Sequence, residues 1–108
     1  MNFKLTPNPT FKVTVNLSVP EQKGVAPIEF EFKYKNKFEL DAWFKDHADT
    51  LEALDAVIIG WKGVIGPEDK PIEYSKAHLQ ELMTNYPKSG QEITTAYFNS
   101  LTESRAKN

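Results

Sequence analysis

Two stretches of alternating apolar and polar residues near the start of the chain limit its fold more than any other feature. Apolar side chains occupy every second position from Phe11 to Val19, and again from Ile28 to Tyr34. A period of two is typical of strands that bury one face. Residues 20–24 between them are turn-forming, so the sequence predicts an antiparallel β-hairpin. Because two strands alone are marginally stable in water, their apolar face requires a cover of helices.

The region after the hairpin carries apolar residues at helical spacing. Asn36 and Glu39 form a start that resembles a capping box. Beyond it, side chains recur every three or four residues and project onto one stripe of a helix: Phe44, His47, Leu51, Leu54, Ile58, Trp61 and Ile65. Asp49 and Thr50 can cap a fresh start inside this run. The pattern therefore predicts one bent helix or two helices in register between Lys37 and Trp61.

The second half of the chain predicts a loop and two more helices. Glycine and proline indicate a loop over residues 60–71. Ser75 can cap the next helix, which Pro87 ends and whose narrow core-facing stripe holds Leu79, Leu82, Met83 and Tyr86. Ser89 and Glu92 form a capping box for a last helix with a wide apolar arc made of Ile93, Ala96, Tyr97, Phe98 and Leu101.

These elements predict an α+β fold. An N-terminal antiparallel β-hairpin packs against a mostly helical C-terminal part of three to four helices. At 108 residues the chain fits a single domain, 1–108, with a flexible arm over 1–9 and a frayed tail over 102–108.

Composition argues against several classes of function. Thirteen Lys and Arg against fifteen Asp and Glu give a net charge of −2, and the basic residues form no stripe, so we expect no nucleic-acid partner. The sequence has no cysteine, which excludes disulfides and thiolate chemistry. It also lacks an apolar run of membrane-spanning length and the apolar stretch of a signal peptide, so we expect no membrane contact and no export by that route.

The titratable residues predict no catalytic centre. His47 lies on the apolar stripe as a structural histidine, while His78 falls on a different helix, where we expect it to face solvent. The acidic residues of the first helical region form a solvated face rather than a paired-carboxylate site: Asp41, Asp46, Asp49, Glu52 and Asp55. The glycines at 60, 63 and 66 lack the Lys-Ser or Lys-Thr of a phosphate loop, and no serine sits in a nucleophile elbow. We therefore predict no catalytic residue, cofactor site or metal site.

What remains is apolar surface beyond obvious need. Phe3 and Leu5 lie on the arm, and further large apolar residues lie in the predicted loop and on the wide arc of the last helix. Contiguous exposed apolar patches usually mark a partner surface. The residues predicted to bind a partner are Trp61, Val64, Ile65, Tyr97, Phe98 and Leu101.

Three short segments carry a resemblance to a known family. They are Leu54-Asp55-Ala56-Val57-Ile58-Ile59-Gly60-Trp61-Lys62-Gly63-Val64, Leu79-Gln80-Glu81-Leu82-Met83-Thr84-Asn85-Tyr86-Pro87, and Ala96-Tyr97-Phe98. These segments follow the predicted strand pair in this order. With that arrangement, the sequence resembles the tail assembly chaperones of siphophages and prophages. The resemblance covers most of the chain beyond residue 10.

The resemblance implies a non-enzymatic role in the host cytoplasm. Such proteins coat the long, helical tape measure protein, keep it soluble, help bring tail tube subunits to it, and are absent from the mature virion. Many also exist as a longer frameshifted form that contacts the tube protein. A client of this kind needs apolar contacts at helical spacing, which the seam from Phe44 to Trp61 or the face bearing Phe98 could supply. Weak binding per copy predicts self-association along the client.

Three other classes of function are alternatives to this role. The first is a structural virion protein, such as a tail-completion or neck component, which shares the small size and the partner surface. The second is an enzyme or nucleotide-binding accessory domain, which requires titratable groups gathered in one cleft. The third is a nucleic-acid binder, against which the missing basic stripe argues.

Overall fold

The chain folds as a three-stranded sheet with four helices. The computed structural model describes residues 5–19, 25–46 and 49–102. In chain order the elements are β1 (Thr10–Ser18), β2 (Val25–Lys33), α1 (Lys37–Asp46), α2 (Thr50–Val57), β3 (Ile58–Lys62), α3 (Lys76–Asn85) and α4 (Ser89–Thr102). All three strands are antiparallel neighbours in the order β1-β2-β3. The predicted α+β class and its N-terminal hairpin are confirmed. The arm at 1–4 and the tail at 103–108 lie outside the described residues.

The hairpin buries one face and exposes the other, as its period of two predicts. The register runs from Thr10 opposite Lys33 to Ser18 opposite Val25. One face of the two strands is buried at Val15, Leu17, Ile28, Phe30 and Phe32. On the other face of β1, Lys12, Thr14 and Asn16 are exposed. The helices therefore cover only one side of the sheet.

The third strand is a correction to the sequence analysis, which extended the helical stripe through Ile58 and Trp61. The register shifts between Glu31 and Phe32, so Trp61 pairs with Phe30 while Ile58 pairs with Phe32. This β-bulge leaves Ile59 as an extra residue and turns Ile58 and Trp61, three positions apart, toward the same buried face. A bulged strand thus reproduced the spacing of a helix.

A glycine completes the turn out of β3. Gly63 has a φ of +102°, in the region that L side chains rarely adopt. A Cβ at this position would also lie 3.1 Å from the carbonyl oxygen of Pro27. The predicted loop over 60–71 therefore begins after Lys62 and not at Gly60.

Of the two predicted alternatives, the structure shows two separate helices, α1 and α2, and not one bent helix. The capping box at α1 is confirmed: the Asn36 side chain accepts from the Glu39 amide, and the Glu39 carboxylate accepts from the Asn36 amide, each at 2.9 Å. Asp49 caps α2 by accepting from the amide of Leu51 at 3.2 Å. Ser75 caps α3 by accepting from the amide of His78 at 3.1 Å.

The predicted capping box of the last helix is wrong. Ser89 is the first residue of α4, and its buried hydroxyl has no hydrogen-bond partner among the described residues. The Glu92 carboxylate instead accepts from Ser18 of β1, from the amide at 3.1 Å and from the hydroxyl at 2.5 Å. Because these contacts join residues far apart in sequence, spacing alone could not reveal them. They fix the start of α4 to the end of β1.

Tyr97 fixes the other half of α4 to the sheet. Its ring centroid lies 4.7 Å from that of Phe32 and 5.3 Å from that of Trp43, and the side chain is fully buried. The phenolic hydroxyl donates to the carbonyl oxygen of Lys33 at 2.8 Å. Burial, and to a smaller extent the charge of Glu39, raises the pKa of Tyr97 above its ordinary value of 10.0. The folded state therefore holds this proton more tightly than the unfolded chain.

We expect stability to fall at high pH because of this raised pKa. The raised pKa of Tyr97 adds its full contribution to the free energy of unfolding below pH 10. Above pH 10 the tyrosine ionises in the unfolded chain first, so the free energy of unfolding drops by about 1.4 kcal/mol per pH unit for this group. Tyr97→Phe should remove that part of the slope and leave the part due to Tyr74, whose pKa is also raised, mainly by burial. At neutral pH it should cost about 1 kcal/mol through the lost hydrogen bond. Urea unfolding at a series of pH values measures both effects, and an unchanged alkaline slope would contradict the assignment.

Candidate partner-binding surface

Two phenylalanines from different helices form an exposed apolar pair. Phe44, near the end of α1, and Phe98 of α4 meet edge to face with ring centroids 5.4 Å apart. They remain 49% and 37% exposed. Leu101 lies one turn beyond Phe98 and is partly buried against the core. We call Phe44, Phe98 and Leu101 the aromatic patch.

Buried aromatic residues hold the aromatic patch in place. Trp43, next to Phe44, is 3% exposed and donates its indole N–H to the carbonyl oxygen of Ala53 at 2.8 Å. Its ring also meets Tyr97 edge to face. Because Trp43 and Tyr97 immediately precede Phe44 and Phe98, the core fixes the backbone from which both exposed rings project. The aromatic patch is therefore presented by a rigid base.

A second apolar surface lies at the far end of the sheet. It is a groove of about 210 Å³ between the end of the hairpin, the turn after β3 and the last part of α3. Its walls include Leu17, Val19, Val64, Ile65, Leu82 and Tyr86. Ile65 is 57% exposed at its rim. We call this site the apolar groove.

The direction of α4 separates the two surfaces. Its first turn contacts Ser18 at the end of β1 through Glu92, whereas Tyr97 contacts Phe11 near the start of β1. The aromatic patch therefore lies at the end of the sheet where β1 begins. The apolar groove, with Leu17 and Val19, lies at the opposite end.

The structure divides the six residues predicted to bind a partner. Trp61 is 9% exposed and Tyr97 is 0% exposed, so both belong to the core and neither offers a free face. The Trp61 indole donates to the carbonyl oxygen of Ile72 at 2.8 Å. The remaining four divide between the two surfaces, with Val64 and Ile65 at the apolar groove and Phe98 and Leu101 at the aromatic patch. Their role in binding stays a prediction.

The six predicted residues omit five of the large apolar residues that are exposed in the described part of the chain: Leu5, Tyr34, Phe38, Phe44 and Ile59. Phe44 begins the helical stripe, whose members recur every three or four residues. Phe38 is 82% exposed and Leu5 is 91% exposed. A lone aromatic residue at the start of a helix gives no sequence signal that separates a contact residue from a core residue.

Several of the polar side chains considered as site residues make structural contacts. Nδ1 of His78 lies 2.9 Å from the carbonyl oxygen of Glu73. His78 is partly buried, so the prediction that it faces solvent is only partly correct. His47 lies outside the described residues. In the acidic face of α2, Asp55 accepts from the hydroxyl of Tyr74 at 2.7 Å and Glu52 pairs with Lys76. This pairing raises the pKa of Lys76. Within residues 5–19, 25–46 and 49–102, no group of three or more potential ligands could hold a metal ion.

Comparison with known proteins identifies the family. The sequence profile described as phage tail assembly chaperone matches residues 1–108, the whole chain. The chain belongs to the phage tail assembly chaperone family. A search of curated proteins and a search of solved structures find no match to this chaperone. None of its described helices has the length and apolar character that crossing a membrane requires.

The segments that carried the resemblance serve the fold of this chaperone. Residues 54–64 span the end of α2, all of β3 and the turn at Gly63. Residues 79–87 cover most of α3 and its C-cap at Tyr86, and residues 96–98 include the tether at Tyr97. The segments therefore specify the scaffold, and the exposed side chains beside them form the two apolar surfaces.

We predict that a substitution at Trp61, a residue of the scaffold, costs much more stability than one at Phe98, a residue of the aromatic patch. Trp61→Ala should cost about 3–5 kcal/mol, because it removes a buried ring and orphans the Ile72 carbonyl. Phe98→Ala should cost about 1 kcal/mol, mainly the ring contact with Phe44. Chemical denaturation monitored by circular dichroism measures both. Equal losses for the two variants would show that Phe98 is a core residue.

Proposed function

We propose that this chaperone binds the tape measure protein through the aromatic patch, keeps it soluble and helps to recruit tail tube subunits to it. The role is non-enzymatic: it holds a client and makes or breaks no bond. The observation that carries the proposal is the exposed Phe44–Phe98 pair, which the family assignment places in a protein of tail assembly.

The shape of the aromatic patch suits a helical client. Its side chains come from α1 and α4, so it presents apolar contacts from two neighbouring helices over a buried base. An amphipathic helix that lays its apolar face against such a surface anchors at i, i+3, i+4 and i+7 positions. Two adjacent rings fit the spacing of one such pair of anchors.

Binding by one copy is expected to be weak. Covering Phe44 and Phe98 completely removes at most roughly 170 Å² of apolar surface from water, or about 4 kcal/mol at 25 cal/mol per Å². Association costs at least about 4 kcal/mol in lost freedom of motion, so neighbouring contacts and many copies must supply the rest. We therefore include self-association along the client in the proposal.

The location and the recruitment of tube subunits are proposed from membership of the family and not from a site in the structure. We propose that the chaperone acts in the host cytoplasm and is absent from the mature virion, with tube contact supplied by a longer frameshifted form. A structural virion protein, such as a tail-completion or neck component, would instead remain in the particle. Mass spectrometry of purified virions distinguishes the two roles by the presence of peptides from this chain.

Co-expression with the tape measure protein of the same phage tests client binding. The wild-type chain should raise the soluble fraction of the client and co-purify with it. Phe98→Asp and Phe44→Asp should each abolish both effects, because a charge in the aromatic patch cannot be desolvated without a partner. Circular dichroism should show an unchanged fold for both variants.

Phe38→Asp is the matched control. Phe38 is on α1 with Phe44, is the same residue type and is more exposed, but six positions at 100° per residue place it on a different side of the helix. This variant should bind the client like the wild type. If Phe38→Asp is as defective as Phe98→Asp, or if neither is defective, the aromatic patch is not the binding site.

A further inference from the structure

The apolar groove has a candidate occupant in the chain itself. The N-terminal arm alternates apolar Met1, Phe3 and Leu5 with polar Asn2, Lys4 and Thr6. This period of two gives an extended segment one apolar side. Leu5, the apolar residue of this pattern that lies within the described part of the chain, is 91% exposed. Within the described residues, therefore, the chain leaves the apolar side chain of Leu5 uncovered.

Leu5 cannot reach the apolar groove of its own chain. The Pro9 carbonyl oxygen accepts from the Tyr34 amide at 2.8 Å, so the arm is anchored to the hairpin at Pro9. Leu5 is four steps of at most about 3.6 Å from Pro9, roughly 14 Å in all. Leu17 is eight residues from Pro9 in the other direction, or roughly 27 Å at strand rise. A Leu5 side chain seated beside Leu17 must therefore come from another molecule.

We infer that the N-terminal arm of one copy docks into the apolar groove of the next, with Leu5 seated between Ile65 and Tyr86. This inference deepens the self-association in the proposed function and rests on it. A volume of about 210 Å³ accommodates one aliphatic side chain with room for part of a second. An adjoining cleft of about 440 Å³ shares Val19 and Tyr86 with the groove and extends the apolar floor toward Pro87.

The charges at the rim agree with this occupant. The only charged side chain in the arm is Lys4. Glu81 lines the pocket on the α3 side of Ile65, within one turn of Leu82. Lys88 lies on the opposite side, in the cleft beyond Tyr86. An arm that enters with Lys4 toward Glu81 gains a favourable pair and keeps its charge away from Lys88.

The two contact surfaces lie at opposite ends of the sheet, an arrangement that suits copies stacked in one direction. An arm from one end that enters the groove of the next copy makes a heterologous, head-to-tail contact. Such a contact adds copies in a row unless two copies exchange arms or the rotation closes a ring, and we assign the open row. Each added copy brings one aromatic patch in the same orientation, so the row presents repeated contacts to one long client.

Mixing of two variants tests the inference. Leu5→Asp damages the arm and leaves the groove intact, whereas Ile65→Asp damages the groove and leaves the arm intact. Both residues are exposed, so each variant should fold, which circular dichroism checks. Sedimentation velocity of the wild type should show species that grow beyond dimers as concentration rises. Each variant alone should associate about tenfold more weakly or worse, the effect expected for one buried aliphatic side chain.

An equimolar mixture should regenerate a single intact interface. The arm of the Ile65→Asp copy enters the groove of the Leu5→Asp copy, so the mixture should form a heterodimer that grows no further. Phe98→Asp should associate like the wild type while it fails to hold the tape measure protein, which separates failure of this interface from failure of client binding. The inference is overturned if the wild type stays monomeric, if it stops at a closed dimer, or if the mixture stays monomeric.

Discussion

The contact between Tyr97 and the sheet is the interaction on which the rest of the structure depends. It joins α4 to Phe32 through ring packing and to Lys33 through a hydrogen bond, across more than half of the chain. Trp43 packs against the same ring, so α1 is held by it as well. Without this tether the two helices that carry Phe44 and Phe98 would have no common base.

The sequence was informative wherever structure is local. The hairpin followed from its period of two, and three helix starts followed from Asn36, Asp49 and Ser75, because caps act within a few residues. The third strand did not follow, because the bulge opposite Phe32 gives β3 a spacing of three that also fits a helix. The bonds of Glu92 to Ser18 were equally invisible, since they form only after the chain has folded.

The residues of the candidate site also could be predicted only in part from the sequence. Large apolar residues could be counted from the sequence, but their distribution between core and surface could not. Trp61 and Tyr97 look as available as Phe98 in a pattern, and only packing against Phe30 and Phe32 shows that they are interior. Phe44 belongs to a seam that the sequence offers as a client contact, but it is not among the six predicted residues, because it also fits a core stripe and lies at the edge of the core. The tail assembly role rests on the family match over the whole chain.

Hydrogen–deuterium exchange on the chaperone with and without its tape measure protein tests the central claim most directly. That claim is that a rigid scaffold presents one aromatic patch to a helical client. We predict slower exchange in the last turns of α1 and in the second half of α4, where Phe44 and Phe98 lie, with β2 unchanged. Protection concentrated on the polar face of the sheet, or a general change across all helices, would contradict this account.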